Sequence, residues 1–299
     1  MTPVAHGRAF ALIGHPVGHS LSPAIHRAAY AELGLADHSY EAVDCPNAQA
    51  VAAQLEAIRR GELDGANVTV PWKRLALELA DEVHDSAGST GAANVLSPTG
   101  PDGARRLVAH NTDVPALAEQ LRRGHPGARS AMVIGAGGAA LAAAVACRSI
   151  GVDRVVVVAR RWRGTDESAW ELATAFRARA AVPVAWPDDP SAFSSFRRAV
   201  VESDIVIQST SDGMAGATDG TTVRDLVPFP ELDRAAFVYD LVYSPEVTPF
   251  VAAARDAGLS AESGLGMLVG QAALAIELWV GRRPSIAALR AAVARERPR

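Results

Sequence analysis

The stretch Ala131-Met132-Val133-Ile134-Gly135-Ala136-Gly137-Gly138-Ala139-Ala140 lies near the middle of the 299-residue chain and indicates its fold. The four apolar residues that open it predict a buried strand, and the apolar segment after the glycines predicts a helix. The turn between them satisfies the pattern G-x-G-x-x-G/A in the strand–turn–helix context that the pattern requires. Such a turn brings backbone N–H groups close to a pyrophosphate at the helix N-terminus. The candidate cofactor-binding residues are therefore Gly135, Ala136, Gly137, Gly138 and Ala139, although a Gly-rich turn without a nucleotide is the alternative.

The strand that follows this helix ends in arginines, in the sequence Val157-Val158-Ala159-Arg160-Arg161-Trp162-Arg163. Chains that bind NAD carry an acidic residue at this point, which binds the ribose hydroxyls. Guanidinium groups instead suit a 2′-phosphate, to which they donate bidentate hydrogen bonds. Arg160, Arg161 and Arg163 therefore predict NADP as the cofactor in preference to NAD. The alternative is an exposed turn in an arginine-rich chain.

Predicted strands and helices alternate on both sides of this segment, which indicates the α/β class. Before it, the first hundred residues predict a mainly parallel sheet that ends in a hairpin. After it, strands are predicted at 131–134, 154–159, 182–186, 204–208 and 237–241. We expect one domain over 1–113, completed by C-terminal helices at 265–299, and a second over 114–264. The loop 124–129, which follows a predicted connecting helix, has the composition of an interdomain link.

The overall composition is that of an ordinary soluble globular protein, with 49% hydrophobic and 21% charged residues. The net charge of −4 gives no indication of a nucleic-acid or membrane partner. Cys45 and Cys147 are too few and too far apart for a disulfide framework, which favours a reducing cytoplasm. His15 and His19 lie in a Gly/Pro loop without a third ligand nearby, so no metal site is predicted.

A second informative stretch is Asn67-Val68-Thr69-Val70-Pro71-Trp72-Lys73, which predicts a strand that runs into a helix with Pro71 as its first residue. Lys73 then lies in the first helical turn, where the positive end of the helix dipole disfavours its charge. It is also the only lysine, beside 28 arginines. Because arginine does not release its proton at working pH, position 73 is predicted to need a proton-transfer group. The alternative is one chance survivor in an arginine-biased composition.

Further polar side chains lie at predicted element ends. Ser20 and Ser22 stand at a helix start, where a carboxylate is favourably bound, and Ser22 is also predicted to be the N-cap. Asn94 and Asp113 follow predicted strands. Taken alone, Asp113 would be expected to cap the helix that follows it.

Together these motifs resemble the shikimate dehydrogenase family, whose members reduce 3-dehydroshikimate with NADPH in the aromatic pathway. The resemblance covers almost the whole chain, and eight motifs occur in the family's order. The matching stretches are Gly14–Pro23, Asn67–Lys73, Gly91–Asn94, Asn111–Asp113, Gly135–Ala140, Ser209–Met214, Tyr239–Pro249 and Gly264–Gln271.

The resemblance implies two α/β domains around a deep cleft, the second a Rossmann-type doubly wound parallel sheet. It implies that Lys73 is the catalytic acid/base with Asp113 beside it. We separately expect the protein to be a monomer or a homodimer. It also implies a set of binding residues: Ser20, Ser22 and Tyr243 for the substrate carboxylate, Thr69, Asn94, Asp113 and Gln271 for the ring hydroxyls, and Gly135–Ala139, Arg160 with its neighbours, Leu241 and Gly264 for NADP.

The chain departs from the family pattern at two places. Ala159–Gly164 stands where members often have Asn-Arg-Thr and another arginine three residues on, so Arg160 keeps its place and the distal arginine moves by one. Gly91–Val95 reads Gly-Ala-Ala-Asn-Val in place of Gly-Ala-Val-Asn-Thr. These changes leave the basic character of the cofactor segment intact.

Two other functions remain open from the sequence. One is an NAD-dependent quinate/shikimate dehydrogenase, against which stand the arginines and Ser22, since quinate-accepting relatives tend to have threonine there. The other is a non-catalytic NADP(H)-binding regulator, which could lose Lys73 or Asp113, whereas this chain keeps both.

Overall fold

The computed structural model describes residues 7–164, 170 and 172–296. The chain divides into two compact units, one formed by Met1–Asp113 with Val269–Arg299 and the other by Val114–Leu268. Each unit contains one six-stranded sheet.

The first unit has a mainly parallel sheet in the strand order β2-β1-β3-β5-β6-β4. Only β5 runs antiparallel to its neighbours, because it forms the predicted hairpin with β6. The elements are β1 (Ala9–Gly14), α1 (Ser22–Glu32), β2 (Ser39–Asp44), α2 (Ala48–Arg60), β3 (Gly65–Val68), α3 (Lys73–Leu79), β4 (Glu82–Val83), α4 (Asp85–Thr90), β5 (Val95–Thr99) and β6 (Arg106–His110).

Alternating residues of β1 bury both faces of this sheet, as expected for a strand covered on two sides. Ile13 packs in a core cluster with Leu55 of α2. Phe10 points to the other face, where its ring stacks on Trp279 with centroids 4.6 Å apart. Trp279 Nε1 also donates to the carbonyl of Leu96 at 3.1 Å. The C-terminal segment thereby completes the first unit with part of α11 (Leu265–Val280) and with α12 (Ile286–Glu296), which packs on α1.

The second unit is a doubly wound sheet of six parallel strands in the order β12-β11-β10-β7-β8-β9. This is the Rossmann order, so the predicted fold type is confirmed. Its elements are α5 (Asp113–Gly124), β7 (Ser130–Ile134), α6 (Gly138–Ser149), β8 (Arg154–Val158), α7 (Ala173–Arg177), β9 (Ala181–Val184), α8 (Pro190–Val201), β10 (Ile205–Gln208), α9 (Thr221–Arg224), a 3₁₀ turn (Phe229–Glu231), β11 (Phe237–Asp240), α10 (Pro249–Asp256) and β12 (Ser260–Ser263).

Both faces of this sheet are covered by helices, and the strand residues alternate between two apolar clusters. Val133 and its in-register neighbours pack with Leu117 and Leu121 of α5. Met132 and Ile134 pack in the other cluster with Phe196 of α8. The near-continuous apolar runs of these strands therefore follow from burial on two sides.

Three local expectations were wrong. Pro71 lies in a turn closed by a hydrogen bond from Trp72 N to the Thr69 carbonyl, so α3 begins at Lys73. Ser22 is the first residue of α1 and does not cap it, since Leu21 occupies the cap position. The loop 124–129 lies inside the second unit, because the apolar face of α5 packs in that unit's core.

Candidate active site

The central feature of the first unit is an ion pair between Lys73 and Asp113. Lys73 Nζ donates to Asp113 Oδ2 at 2.7 Å, although the two residues are forty positions apart in the chain. The Asp113 side chain is 11% exposed and that of Lys73 is 31% exposed. The lysine is therefore accessible to a ligand while its counter-charge is held below it.

The Asp113 carboxylate is fixed by an amide network as well as by the lysine. Asn94 Nδ2 donates to Asp113 Oδ1 at 2.9 Å and to Thr112 Oγ1 at 3.0 Å. Asn94 Oδ1 accepts from Thr112 N at 2.7 Å. Asn111 Oδ1 accepts from Asp113 N at 3.0 Å. Asn94, Thr112 and Asn111 are all buried, so the position of the carboxylate is set by satisfied buried hydrogen bonds.

Thr69 lies in the turn that leads from β3 to Lys73. Its N–H donates to the Ile13 carbonyl at 2.8 Å, which anchors the turn to the end of β1. A Cβ atom on Gly14 would lie 2.3 Å from Thr69 Cγ2, so a larger residue at position 14 would displace the Thr69 side chain. The turn carrying Thr69 and Lys73 is therefore held against a rigid strand.

Ser20 and Ser22 lie at the start of α1, as the sequence predicted. Ser20 Oγ accepts from Ser22 N at 3.2 Å. Ser22 is buried, whereas Ser20 is half-buried. The two hydroxyls therefore form one local structure, with Ser20 the more accessible.

The two remaining predicted substrate residues belong to different units. Gln271 is half-buried on α11, in the part of that helix assigned to the first unit. Tyr243 follows β11 in the second unit, where burial raises the pKa of its hydroxyl. Tyr243 therefore stays protonated at working pH.

The glycine turn lies at the carboxyl end of β7, where the strand order of the second sheet reverses. Ligands of open α/β sheets bind at such switch points. Gly135 has φ +131°, and a Cβ atom there would lie 2.4 Å from Ser209 Oγ. Gly137 and Gly138 are exposed, and added Cβ atoms would meet nothing within 4 Å. The turn therefore leaves open space over the first residues of the twelve-residue helix α6, as a pyrophosphate requires.

The arginine segment after β8 is anchored by a buried aromatic side chain, Trp162, for which the sequence predicted no role. Trp162 is fully buried, and its ring stacks on Trp170 with centroids 5.8 Å apart. Arg160, Arg161 and Arg163 around it are exposed. Arg163 pairs with Asp188 at 2.6 Å and donates to the Arg160 carbonyl at 3.1 Å. Its guanidinium group therefore already has partners within the protein.

Leu241 and Gly264, the last two predicted cofactor residues, lie against each other. A Cβ atom on Gly264 would lie 2.2 Å from the Leu241 carbonyl oxygen, so this approach requires glycine. Gly264 N donates to the Val242 carbonyl at 3.0 Å. The two segments that follow β11 and β12 are thereby joined at the carboxyl end of the second sheet, the end at which the glycine turn lies.

Among residues 7–164, 170 and 172–296, no group of three or more histidine, cysteine or acidic side chains is placed to hold a metal ion. Within the same residues, no helix has both the length and the apolarity needed to cross a membrane.

Comparisons with known proteins agree with this geometry. The model of the shikimate dehydrogenase substrate binding domain matches residues 12–96, and that of the shikimate 5′-dehydrogenase C-terminal domain matches residues 264–294. The shikimate dehydrogenase (NADP(+)) of Symbiobacterium thermophilum is 37% identical over 96% of this chain and 93% of its own length. The chain belongs to the shikimate dehydrogenase family.

Solved structures resemble the whole chain. A shikimate 5-dehydrogenase from Thermus thermophilus, solved in complex with NADP(H) and shikimate, aligns with a TM-score of 0.78 at 34% identity, covering 96% of this chain and 99% of that one. A 5-ketofructose reductase of Gluconobacter aligns with the same TM-score at 25% identity, covering 97% of this chain and 98% of that one. The fold therefore hosts more than one substrate, and the substrate must be argued from individual side chains.

Three residues that support the family site were not singled out from the sequence. Asn67 bonds to the backbone of Asn94, Asn111 bonds to the backbone of Asp113, and Tyr40 donates to Asn67. Asn67 and Asn111 did stand inside the quoted motifs, so a signal existed for them. Tyr40 lies in an ordinary alternating strand, where a tyrosine gives no local indication of a role.

A buried carboxyl group beside the cofactor segment gives a pH prediction. Burial, with a contribution from Asp212, raises the pKa of Asp240 from 3.8 to about 7. The folded chain therefore binds a proton more tightly than the unfolded chain, so this stabilising contribution is complete below pH 3.8 and is lost as the pH rises towards 7. The loss is a few kcal/mol at most, at about 1.4 kcal/mol per pKa unit.

Asp240→Asn keeps an acceptor for Thr248. We expect the melting temperature of this variant, relative to that of the unaltered chain, to be higher at pH 7.5 than at pH 5. Scanning calorimetry at both values measures this difference. The control is Asp256→Asn on the exposed side of α10. A pH dependence that is the same in Asp240→Asn and the unaltered chain would contradict the prediction.

Proposed function

We propose that this chain catalyses the reversible NADPH-dependent reduction of 3-dehydroshikimate to shikimate, a step of chorismate and aromatic amino-acid biosynthesis. The observation that carries the proposal is the pair of Lys73 and Asp113, joined at 2.7 Å and fixed by Asn94. It supplies a proton donor that touches solvent and a carboxylate that fixes it. The family relatives named above carry the same activity in their names.

The reaction needs one hydride and one proton at a carbonyl group. NADPH, when bound, supplies the hydride to the ketone carbon. Lys73 Nζ gives its proton to the ketone oxygen, so that the alcohol forms without a free alkoxide. Asp113 holds the lysine in place, and its charge offsets the unfavourable position of Lys73 at the start of a helix. In the reverse direction Lys73 takes the proton back.

The other side chains bind and orient the two ligands. Ser20 and Ser22 bind the substrate carboxylate, while Thr69, Asn94, Asp113 and Gln271 bind its ring hydroxyls. We assign the substrate to the first unit and NADP to the second. The open glycine turn, the contact of Gly264 with Leu241 and the exposed Arg160 and Arg161 fit a dinucleotide with a 2′-phosphate.

A two-substrate, two-cofactor assay tests the proposal. We expect NADPH absorbance to fall with 3-dehydroshikimate, and shikimate with NADP⁺ to restore it. Quinate with NAD⁺ is the comparison. A higher kcat/KM for quinate with NAD⁺ would assign the chain to the quinate-oxidising branch. Binding of NADPH without turnover of either substrate would indicate a regulator.

The choice of NADPH rests most on Arg160, because Arg163 is already tied to Asp188. We expect Arg160→Ala to raise the KM for NADPH about 10- to 100-fold, the value of one hydrogen-bonded charge contact. The KM for NADH, which has no 2′-phosphate, should change little. Steady-state kinetics with both cofactors measure the ratio.

Arg154→Ala is the matched control for Arg160→Ala. Arg154 is an exposed arginine at the other end of the same strand, paired with Glu202 at 2.8 Å. It should leave both KM values unchanged. Equal increases in the KM for NADPH and the KM for NADH in Arg160→Ala would show that Arg160 does not bind the 2′-phosphate.

Two further proposals concern the protein's setting. Both cysteines are free thiols, and we place the chain in the cytoplasm. We propose that it acts as a monomer or a homodimer, which sedimentation would decide.

A further inference from the structure

A buried carboxyl group at the end of β11 holds the loop that follows this strand. Asp240 is the last residue of β11 and is fully buried. Its Oδ1 atom accepts from the backbone N–H of Val242 at 2.9 Å, and its Oδ2 atom accepts from Thr248 Oγ1 at 2.6 Å. Thr248 is also fully buried and caps α10, because its Oγ1 atom accepts from Val251 N at 3.2 Å. The carboxylate therefore ties both ends of the loop 241–248 together.

The bond from Val242 to Asp240 also sets the direction of a neighbouring carbonyl group. The Val242 N–H and the Leu241 C=O belong to one planar peptide group, so fixing the first fixes the second. On either side, Leu241 N donates to the Gln208 carbonyl at 2.9 Å and the Val242 carbonyl accepts from Gly264 N at 3.0 Å. Of these three hydrogen bonds, the one to Asp240 uses a side chain. It is therefore the bond that a substitution can remove.

The strand order assigns this peptide group to one half of the predicted cofactor. In a dinucleotide-binding sheet the pyrophosphate lies at the turn after the first strand, here β7, and the adenosine ribose lies at the end of the next strand, here β8. In the second sheet β8 lies on one side of β7, while β10 and β11 lie on the other. We therefore expect the half of NADPH that carries the nicotinamide ring to extend from the glycine turn towards β10 and β11.

A carboxylate at this position is unfavourable for stability at neutral pH. Burial, with a contribution from the charge of Asp212, raises the pKa of Asp240 from 3.8 to about 7. An amide would occupy the same space without this penalty. It has a single acceptor oxygen, however, so it cannot accept from both Val242 and Thr248. The carboxylate is thus the group of this size that holds both donors at once.

We propose that Asp240 is a positioning residue for the nicotinamide half of NADPH, acting through the peptide group between Leu241 and Val242. The inference rests on the proposed function, which places NADPH against Leu241 and Gly264. Because Asp240 is fully buried, it acts without touching the cofactor. It holds the peptide group and the loop in one arrangement before NADPH binds. The entropy of ordering this loop is then lost during folding and does not weaken binding.

Asp240→Asn tests this role, and Asp204→Asn is its matched control. The asparagine keeps an acceptor for Thr248 and turns its NH₂ group towards the Val242 N–H, so the peptide group is released. Asp204 lies at the opposite end of the same sheet, just before β10, where its carboxylate accepts from two backbone N–H groups at 2.7 and 2.9 Å. The control therefore disturbs similar hydrogen bonds at the end of the sheet that lies away from the glycine turn.

The two probes are NADPH and 2′,5′-ADP, a fragment that carries the 2′-phosphate but lacks the nicotinamide half. Both are titrated by calorimetry at about pH 8.5, where the Asp240 carboxyl group, with its pKa of about 7, is charged. We expect Asp240→Asn to raise the Kd for NADPH about tenfold, the value of one hydrogen bond, and to leave the Kd for 2′,5′-ADP unchanged. Asp204→Asn should change neither value.

The ratio of the two Kd values separates positioning from a general distortion of the second unit. An unchanged Kd for NADPH in Asp240→Asn would overturn the inference. Equal increases in the Kd for NADPH and the Kd for 2′,5′-ADP would also overturn it, as would the same change of the ratio in Asp204→Asn. The proposed reaction is judged separately, by turnover of 3-dehydroshikimate in the unaltered chain. Absent turnover together with the expected change of the ratio would count against the reaction alone.

Thr248 provides a second test for the case in which Asp240→Asn does not fold. Thr248→Val removes the hydroxyl that donates to Asp240 and keeps the shape of the side chain, whereas Thr248→Ser keeps the hydroxyl. We expect Thr248→Val to raise the Kd for NADPH several-fold and to leave that for 2′,5′-ADP unchanged, because the carboxylate loses one of the two groups that orient it. Thr248→Ser should bind both probes like the unaltered chain. Equal affinity for NADPH in the two Thr248 variants would contradict the positioning role.

Discussion

Lys73→Ala is expected to lower kcat for 3-dehydroshikimate reduction about 10²- to 10⁴-fold, the usual contribution of a positioned proton donor. The variant removes the ammonium group that lies 2.7 Å from Asp113 and leaves the second unit unaltered. The KM for NADPH should therefore stay near that of the unaltered chain. Steady-state kinetics with both substrates varied give the two parameters. Near-normal turnover would contradict the acid/base role.

Lys73→Arg distinguishes proton transfer from charge. Arginine keeps the positive charge and can still pair with Asp113, but it holds its proton at working pH. We expect it to be nearly as inactive as Lys73→Ala while it binds shikimate more tightly than that variant does. Substantial activity in Lys73→Arg would mean that charge alone supports the reaction. Lys73 is the only lysine of this chain, so Lys73→Arg removes the only lysine side chain that could transfer a proton.

Asp113→Asn is expected to lower kcat/KM for 3-dehydroshikimate about 10²-fold or more, because two hydrogen bonds to a charged group are disturbed at once. The carboxylate accepts from Lys73 on one oxygen and from Asn94 on the other. An amide in its place turns an NH₂ group towards one of these donors and leaves the ammonium group without a counter-charge. Kinetics and shikimate binding by calorimetry measure the loss.

Asp85→Asn is the control for that substitution. Asp85 is also the first residue of a helix, but it is exposed. It should leave turnover unchanged. In the double variant Lys73→Ala/Asp113→Asn the losses should not add, since residues that act as a unit give non-additive effects. Additive losses would show that Asp113 acts on the substrate independently of the lysine.

These expectations describe one design in the first unit. The Asp113 carboxylate, which is proposed to touch substrate, is held from behind by buried polar residues. Asn94 Nδ2 donates to the carboxylate, and Asn111 Oδ1 accepts from the backbone N–H of Asp113. Because burial leaves an unpaired polar group costly, each such bond has one favoured arrangement. The reacting groups are thereby oriented before the ligand arrives.

The regular elements could be predicted where the local pattern is strong. The apolar runs of the second sheet and the helix over Ala48–Arg60 followed from periodicity, because burial on one or two faces is written in residue spacing. The elements that the pattern missed are short, with at most eight residues each: β4, α4, α10 and β12. A strand of two residues such as Glu82–Val83 exists only because it pairs with β6. No local signal specifies such a partner.

The turn before Lys73 shows the same limit at a functional position. Pro71 is a good first helical residue by statistics, yet it lies in a turn that is closed by Trp72 and tied to β1 through Thr69. Ser22 is likewise a good cap by type, yet it is the first residue of α1, with Leu21 in the cap position. At Pro71 the tertiary hydrogen bonds of the turn outweigh a local preference of about 1 kcal/mol.

The sequence by itself determined the chemistry that is present: a glycine turn between strand and helix, basic residues after the next strand, and one lysine that can exchange a proton. Tertiary structure alone decided which groups meet. It placed Asp113 against Lys73 across forty residues, buried Trp162 beneath the arginines, tied Arg163 to Asp188 and connected Tyr40 to Asn94 through Asn67. The physical reason is that residue types and their spacing act locally. Distances between side chains remote in the chain depend on sheet order and packing, which only the folded chain fixes.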